Sequence, residues 1–285
     1  MRLLGSLTAD QLTAIYQMLD ERKSVSLKEL HPYGNDHRKV PSNLLASVLT
    51  RLEKVDISSC SLSSEQLRTL FSKIAASSKL QHLYLSYNNL SEVQAELLVT
   101  AISRLESVRL YRTHLTTDQL SGIYRMVAER RAGTLKVLGL SGSDHRDVPS
   151  DLLASGLTRL EKLDMRDCNL SSEQLRTLFS KIAATDASSL TLQHLDLSFN
   201  NLSEVPAELL VMAISRLESV RLHWADLTTD QLTNIYRMVA ERRVGRLKVL
   251  GVFWNDHSGV TQSLRVQAEL NKNVRIESQS HFHYL

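Results

Sequence analysis

The chain is short of the residues that would assign it to an easy class. It holds two cysteines, four prolines and two tryptophans in 285 residues. Two cysteines cannot build the disulfide framework of a small secreted scaffold, and they point to a reducing compartment or to indifference to redox. No apolar run is long enough to span a bilayer. Met1 to Leu4 is too short an apolar start for a secretory signal before the polar stretch from Thr8 to Gln11. The net charge is only +3, with both signs interspersed and no basic block or charged tail, so nothing calls for nucleic acid as a partner. P-loop, Gly-x-Ser-x-Gly, His-Glu-x-x-His and Cys-x-x-Cys motifs are all missing. Ser, His and Asp are plentiful but recur with the period described next, which makes them structural by default.

What is present is leucine at fixed spacing. Leu192 to Leu202 reads LQHLDLSFNNL, with Leu192, Leu195, Leu197 and Leu202 apolar and Asn200 between the last two. Leu195 and Leu197 alternate inward from a short strand, and Leu192 and Leu202 close the core on either side. The asparagine satisfies backbone groups in the following turn that would otherwise be buried and unpaired. One such unit cannot bury its own apolar face, and the pattern recurs. Strand segments open at Leu27, Leu52, Leu80, Leu105, Leu135, Leu160, Leu192, Leu217 and Leu247. The spacing is strict in LQHLYLSYNNL from Leu80. In LEKVDISSCSL and LEKLDMRDCNL, Cys60 and Cys168 stand at the asparagine position, and Thr113, Ser143 and Ala225 stand there in three others.

This pattern resembles the leucine-rich-repeat family, and the long units with helical second halves resemble its ribonuclease-inhibitor type, found also in nucleotide-binding leucine-rich-repeat receptors. The resemblance covers nearly the whole chain. It implies an α/β solenoid, a right-handed horseshoe with a parallel sheet on the concave face and helices on the convex face. The expectation is one array over residues 1–285, with units starting near residues 3, 27, 52, 80, 105, 135, 160, 192, 217 and 247. Above the repeat lies a longer period. The four units from Leu52 to Arg159 return in order from Leu160, with SSEQLRTLFSKIAA at Ser63 and again at Ser171. Cys60 and Cys168 then sit four strands apart, on the order of 20 Å at ~4.8 Å per strand, too far for a disulfide. Extracellular arrays of this family carry cysteine-rich caps, and their absence gives a cytoplasmic expectation.

Helices are expected over Ser6 to Lys23, Thr116 to Arg131 and Thr228 to Arg243. Thr8 with Gln11, Ser63 with Gln66, Thr116 with Gln119, Ser171 with Gln174 and Thr228 with Gln231 read as capping boxes. The arginines of AERR at Ala128 and Ala240 fall in last turns, with Gly133 and Gly245 as stops. Pro41, Pro149 and Pro206 fit first-turn positions. No strand precedes the first helix. Pro32 lies where its copies have Leu140 and Val252, which suits an edge strand. At the other end Leu264 to Leu270 continues a helix and the stretch from Asn273 adds an edge strand. His281 and His283 read as a solvated tail rather than a metal pair.

Function is expected on the concave strand face and the lip at the strand ends, because there the duplicated copies differ while their helices are nearly identical. Tyr84 becomes Asp196, Tyr111 becomes His223, and Arg112 becomes Trp224. Ser58-Ser59 becomes Arg166-Asp167, and Ser141-Gly142 becomes Phe253-Trp254. Both tryptophans fall on the lip, and Trp, Tyr and Arg are common interface anchors. The candidate binding set is Tyr84, Arg109, Tyr111, Arg112, Asp164, Arg166, Asp196, Arg221, His223, Trp224, Phe253 and Trp254. Asp56, Arg109 and their copies are expected to form ion pairs between strands. The resulting reading is a non-enzymatic protein-binding module without cofactor or metal, with protein partners and no membrane partner. The alternative is a regulator of an enzyme, either an inhibitor of a nuclease-like enzyme or a GTPase activator. The basic charge and two cysteines count against the first, since ribonuclease inhibitors are acidic and cysteine-rich, and the missing acidic tail counts against the second. Nucleic-acid sensing on Arg109, Arg112, Arg166 and Arg221 is the weakest reading.

Overall fold

The computed structural model describes residues 1–3, 5–22, 27–129 and 133–277. Arg130, Arg131, His281 and His283 lie outside them. The chain divides into two compact units, Met1–Ser143 and Asp144–Leu285.

In the first unit the order is α1 (Ala9–Glu21), β1 (Glu29–Leu30), α2 (Ser42–Leu49), β2 (Lys54–Asp56) and α3 (Ser64–Ala76). Then come β3 (His82–Tyr84), α4 (Ala95–Ile102), β4 (Ser107–Arg109), α5 (Thr117–Ala128) and β5 (Val137–Gly139). The second unit runs α6 (Ser150–Leu157), β6 (Lys162–Asp164), α7 (Ser172–Ala184), β7 (His194–Asp196) and α8 (Ala207–Ile214). It ends with β8 (Ser219–Arg221), α9 (Thr229–Ala240), β9 (Val249–Gly251), α10 (Gln262–Glu269) and β10 (Arg275–Ile276). Within each unit every strand pairs in parallel with the next in sequence. This is the α/β repeat that the leucine spacing predicts. A strand of three residues buries its central side chain, Val55, Leu83, Val108 and Leu138 in one unit and Leu163, Leu195, Val220 and Leu250 in the other. Its two flanking residues point away from the helices.

Two polar ladders tie successive repeats together. Asn88 donates to Ile57 O and Leu85 O and accepts from Leu62 N. Asn200 donates to Met165 O and Leu197 O and accepts from Cys168 N. Asn35 and Asn255 hold the same position. The capping glutamines form the second ladder. All five expected boxes are present. In four of them the amide is buried, and its nitrogen donates to two carbonyls of the preceding repeat. Gln174 reaches His145 O at 2.7 Å and Val148 O at 2.6 Å. A glutamate would cap the helix equally well but could not donate, which explains the amide.

Several local expectations shift. Arg2 forms a parallel bridge to His31, so residues before the first helix do pair with the edge of β1. Pro32 falls beyond that strand, which is only two residues long. Pro41, Pro149 and Pro206 are N-cap residues rather than members of the first turn; their carbonyls accept the first helical bond. Helix α9 ends at Ala240, so Arg242 and Arg243 follow it, and Arg237 is the last-turn cation. Gly245 sits further on at φ +55°, where a Cβ would strike the Ser215 carbonyl. Its task is close backbone approach, not helix termination. Cys60 and Cys168 form no disulfide, as their separation predicts, and both are fully buried. The Cys60 thiol donates to Pro32 O, and burial pushes it up to about 12.

Candidate binding surface on the strand faces and lips

Each of β1 to β9 runs into a turn that places a residue at left-handed φ, and after β2, β4, β6 and β8 a second follows two positions on, at Ser61, His114, Asn169 and Asp226. In the first unit the leading residues of these turns include Ser59, Tyr87 and Arg112; in the second they are Asp167, Phe199, Trp224 and Trp254, at 49° to 61°. The chain must leave the strand within two residues. The N–H of the turning residue still bonds the next repeat, as Phe199 does to His223 O and Trp224 to Phe253 O. For a side-chain-bearing residue this conformation costs roughly 1–2 kcal/mol. It also turns the side chain out to solvent. Phe199, Trp224 and Trp254 are 45%, 49% and 48% exposed.

These three rings form a stack. Phe199 and Trp224 lie 6.3 Å apart at 14°, and Trp224 and Trp254 lie 5.2 Å apart at 13°. An open cleft of about 550 Å³ lies beside them, lined among others by Arg146, Asn169, Phe199, Asn201, Trp224 and Asp226. The first unit's lip is built differently. Tyr87 meets Tyr111 edge-on at 4.9 Å, and the Arg112 guanidinium lies 5.3 Å from the Tyr111 ring centre.

On the sheet face of the second unit the candidate residues form a charged network. Arg166 binds Asp164 through two bonds, at 2.8 and 2.6 Å, and approaches Asp196 at 3.7 Å. Asp196 is 3% exposed and accepts from the Ser198 N–H and hydroxyl. Burial, reinforced by the Asp164 charge, raises its pKa. Arg221 is held by Glu277, whose second oxygen also meets His223 Nε2 at 3.3 Å. His223 is 6% exposed and accepts at Nδ1 from the Phe253 N–H, so its neutral ring carries the proton on Nε2, facing Glu277. Burial alone would raise the Glu277 carboxyl, but His223 and Arg221 outweigh it and hold it down at about 2. Phe253 stacks on His223 at 5.9 Å.

On the first unit's sheet face Tyr84 and Arg109 are half-buried. The Arg109 guanidinium lies 4.6 Å from the Tyr84 ring centre, with Lys54 5.9 Å from the same ring. The expected Asp56–Arg109 ion pair does not form, because Tyr84 stands on the strand between them and Asp56 bonds the Ser58 N–H instead. Among the described residues the Arg109 guanidinium has no hydrogen-bond or ion-pair partner.

The candidates thus gather unit by unit: Tyr84, Arg109, Tyr111 and Arg112 in the first, the other eight in the second. Asp196 and His223 lie beneath the surface. Glu277 is outside the sequence-derived set. The strand expected from Asn273 contained it, but only the register of β10 on β9 aims it at Arg221. Among the described residues no three His, Cys, Asp or Glu side chains converge to hold a metal, and no helix is long and apolar enough to cross a membrane.

The family model described as Leucine Rich Repeat matches residues 79–100 and 191–212. The chain is 26% identical over 246 residues to ribonuclease inhibitor from Sus scrofa, covering 82% of this chain and 52% of that one. It is 24% identical over 243 residues to the ribonuclease inhibitor of Mus musculus, covering 80% and 51%. The chain therefore spans about half the length of the curated relatives it matches. Its fold is similar to the crystal structure of the leucine-rich repeat-containing protein LegL7 from Legionella pneumophila. That match has a TM-score of 0.56 and 16% identity, over 94% of this chain and 87% of that one.

Proposed function

Starting from a leucine-rich-repeat, ribonuclease-inhibitor-like chain, we propose a non-enzymatic protein-binding scaffold that contacts its partner through the strand faces and the strand-end lip. The observation that carries this reading is the exposed stack of Phe199, Trp224 and Trp254, held out on left-handed turns. A contiguous exposed aromatic patch is a surface a monomer seldom maintains without use. On this reading Asp196 and His223 shape the surface from below, while the lip rings, Arg112 and Phe253 make contact. The reading also places the protein in the cytoplasm, in keeping with two buried cysteines outside any disulfide.

The test is a pull-down with Trp224→Ala combined with Trp254→Ala. Loss of one large anchor typically costs on the order of 2 kcal/mol in binding. The double variant is expected to fold and to lose partners that both the parent and a helix-side control, Arg125→Ala with Arg237→Ala, retain. Retention by the tryptophan variant together with loss by the control rejects the lip.

A second reading, inhibition of a ribonuclease, is favoured by the similarity to the two ribonuclease inhibitors. Titrating the chain into a ribonuclease assay decides it. Stoichiometric loss of activity supports it, and unchanged activity at excess chain rejects it.

A further inference from the structure

The duplicated module carries the same arginine twice, on strands of matching register. Arg109 faces Gly139 on the next strand, and Arg221 faces Gly251. In the second unit a carboxylate occupies the space over the glycine. Glu277 comes within reach because Gly251 has no side chain; a Cβ there would lie 2.5 Å from His223 Nε2 and 2.9 Å from the Glu277 oxygen. The carboxylate then meets Arg221 fork to fork, at 2.9 and 2.8 Å. This is the arrangement in which arginine reads a carboxylate most selectively.

In the first unit the same fork has no such partner. Above Gly139 the three atoms nearest a Cβ would all belong to Arg109, at 3.5 Å or more. Tyr84 replaces Asp196, removing the neighbouring negative charge, and lies against the guanidinium at 4.6 Å. A ring on the face of a guanidinium fixes its plane and leaves its edge N–H groups available. Lys54, 3.9 Å from the Glu29 carboxylate, stands beside the same ring. The first unit carries 18 Lys and Arg against 13 Asp and Glu, the second 16 against 18, so the arginine without a partner lies in the basic half.

We propose that Arg109, with Tyr84 and Lys54, forms a carboxylate-reading subsite that takes a glutamate or aspartate side chain from an acidic segment of a partner protein. The inference rests on the protein-binding reading and gives that surface a partner chemistry. A carboxylate is favoured over a nucleic-acid phosphate by the occupant of the duplicate site, where Glu277 meets Arg221 with both oxygens.

The test is fluorescence anisotropy of the whole chain with a labelled peptide of alternating glutamate and glycine at low salt. Arg109→Gln is expected to weaken binding about fivefold or more, and Arg109→Lys to fall between it and the parent, since lysine keeps the charge without the fork. The helix-side variant Arg68→Gln with Arg125→Gln removes more charge and is expected to change little. Equal weakening by that control, no effect of Arg109→Gln, no binding of the peptide at all, or tighter Arg109-dependent binding of an oligothymidylate of matched charge each overturns the proposal. The readout is independent of the tryptophan row. If the peptide fails while the tryptophan variant loses its partners, the scaffold stands and this subsite falls.

Discussion

Glu277 holds Arg221 from two strands away. Its carboxylate leaves the end of β10, crosses β9 over Gly251 and meets the guanidinium on β8 with both oxygens, at 2.8 and 2.9 Å. Breaking a buried pair by removing one partner costs about 3 kcal/mol or more, because the other charge is left uncompensated. Glu277→Gln is therefore expected to lower the melting temperature clearly at neutral pH. The folded carboxyl titrates at about 2 against 4.5 when free, so the stability it contributes is present above 4.5 and is lost as pH falls toward 2. Parent and variant should converge over that window. A gap as wide at pH 2.5 as at pH 7 would show that the carboxylate charge is not its source.

Asp196 carries the opposite sign. Its folded pKa is raised, by burial first and by Asp164 second. The unfolded chain ionises near 3.8 while the fold resists, so stability falls as pH rises through the range between the two values. Asp196→Asn resembles the protonated acid and is expected to match the parent below pH 3.8 and to melt higher at pH 7. A variant that melts lower at pH 7 would mean that the Arg166 contact dominates.

The buried capping amides should be intolerant of charge. Gln174→Glu keeps the cap but loses two donors to His145 O and Val148 O and buries a carboxylate against them. The expected cost is about 3 kcal/mol. Gln11 is exposed in the same kind of box, and Gln11→Glu should stay within about 0.5 kcal/mol. Chemical denaturation of the two variants side by side measures the contrast; equal effects would deny the amide ladder its role.

Left-handed backbone at Trp224 reverses the usual ranking of small residues. At φ 51° alanine retains the strain and glycine does not. Trp224→Gly should be more stable than Trp224→Ala by about 1 kcal/mol. Thermal melts of the pair decide it, and alanine the more stable would place the turn in another conformation.

Both thiols should resist alkylation in the folded chain. Each is fully buried, and Cys60 is further protected because its thiolate forms only at about 12. Mass spectrometry after iodoacetamide should find two labels in denaturant and none natively. Rapid native labelling of either cysteine would contradict its burial.

The local grammar of this chain was readable without its structure. Leucine alternation located every central strand, Thr8 with Gln11 and its copies located the long helices, and Asn88 and Asn200 declared the turns. Each of these signals is complete within one repeat, where backbone geometry decides which side chains face inward. The lip position of Trp224 and Trp254 followed from the same count. What only the tertiary structure decided are relations between repeats. Glu277 meets Arg221 across 56 positions, Gln174 meets His145 across 29, and Arg109 is left without the carboxylate its copy has. The burial of Asp196 and His223 belongs here too, because both look like surface residues in sequence and are covered only by what neighbouring strands bring. A strand of three residues specifies its own faces, but which side chain stands over which neighbour depends on register and on a missing Cβ at Gly251, and these exist only once the repeats are stacked.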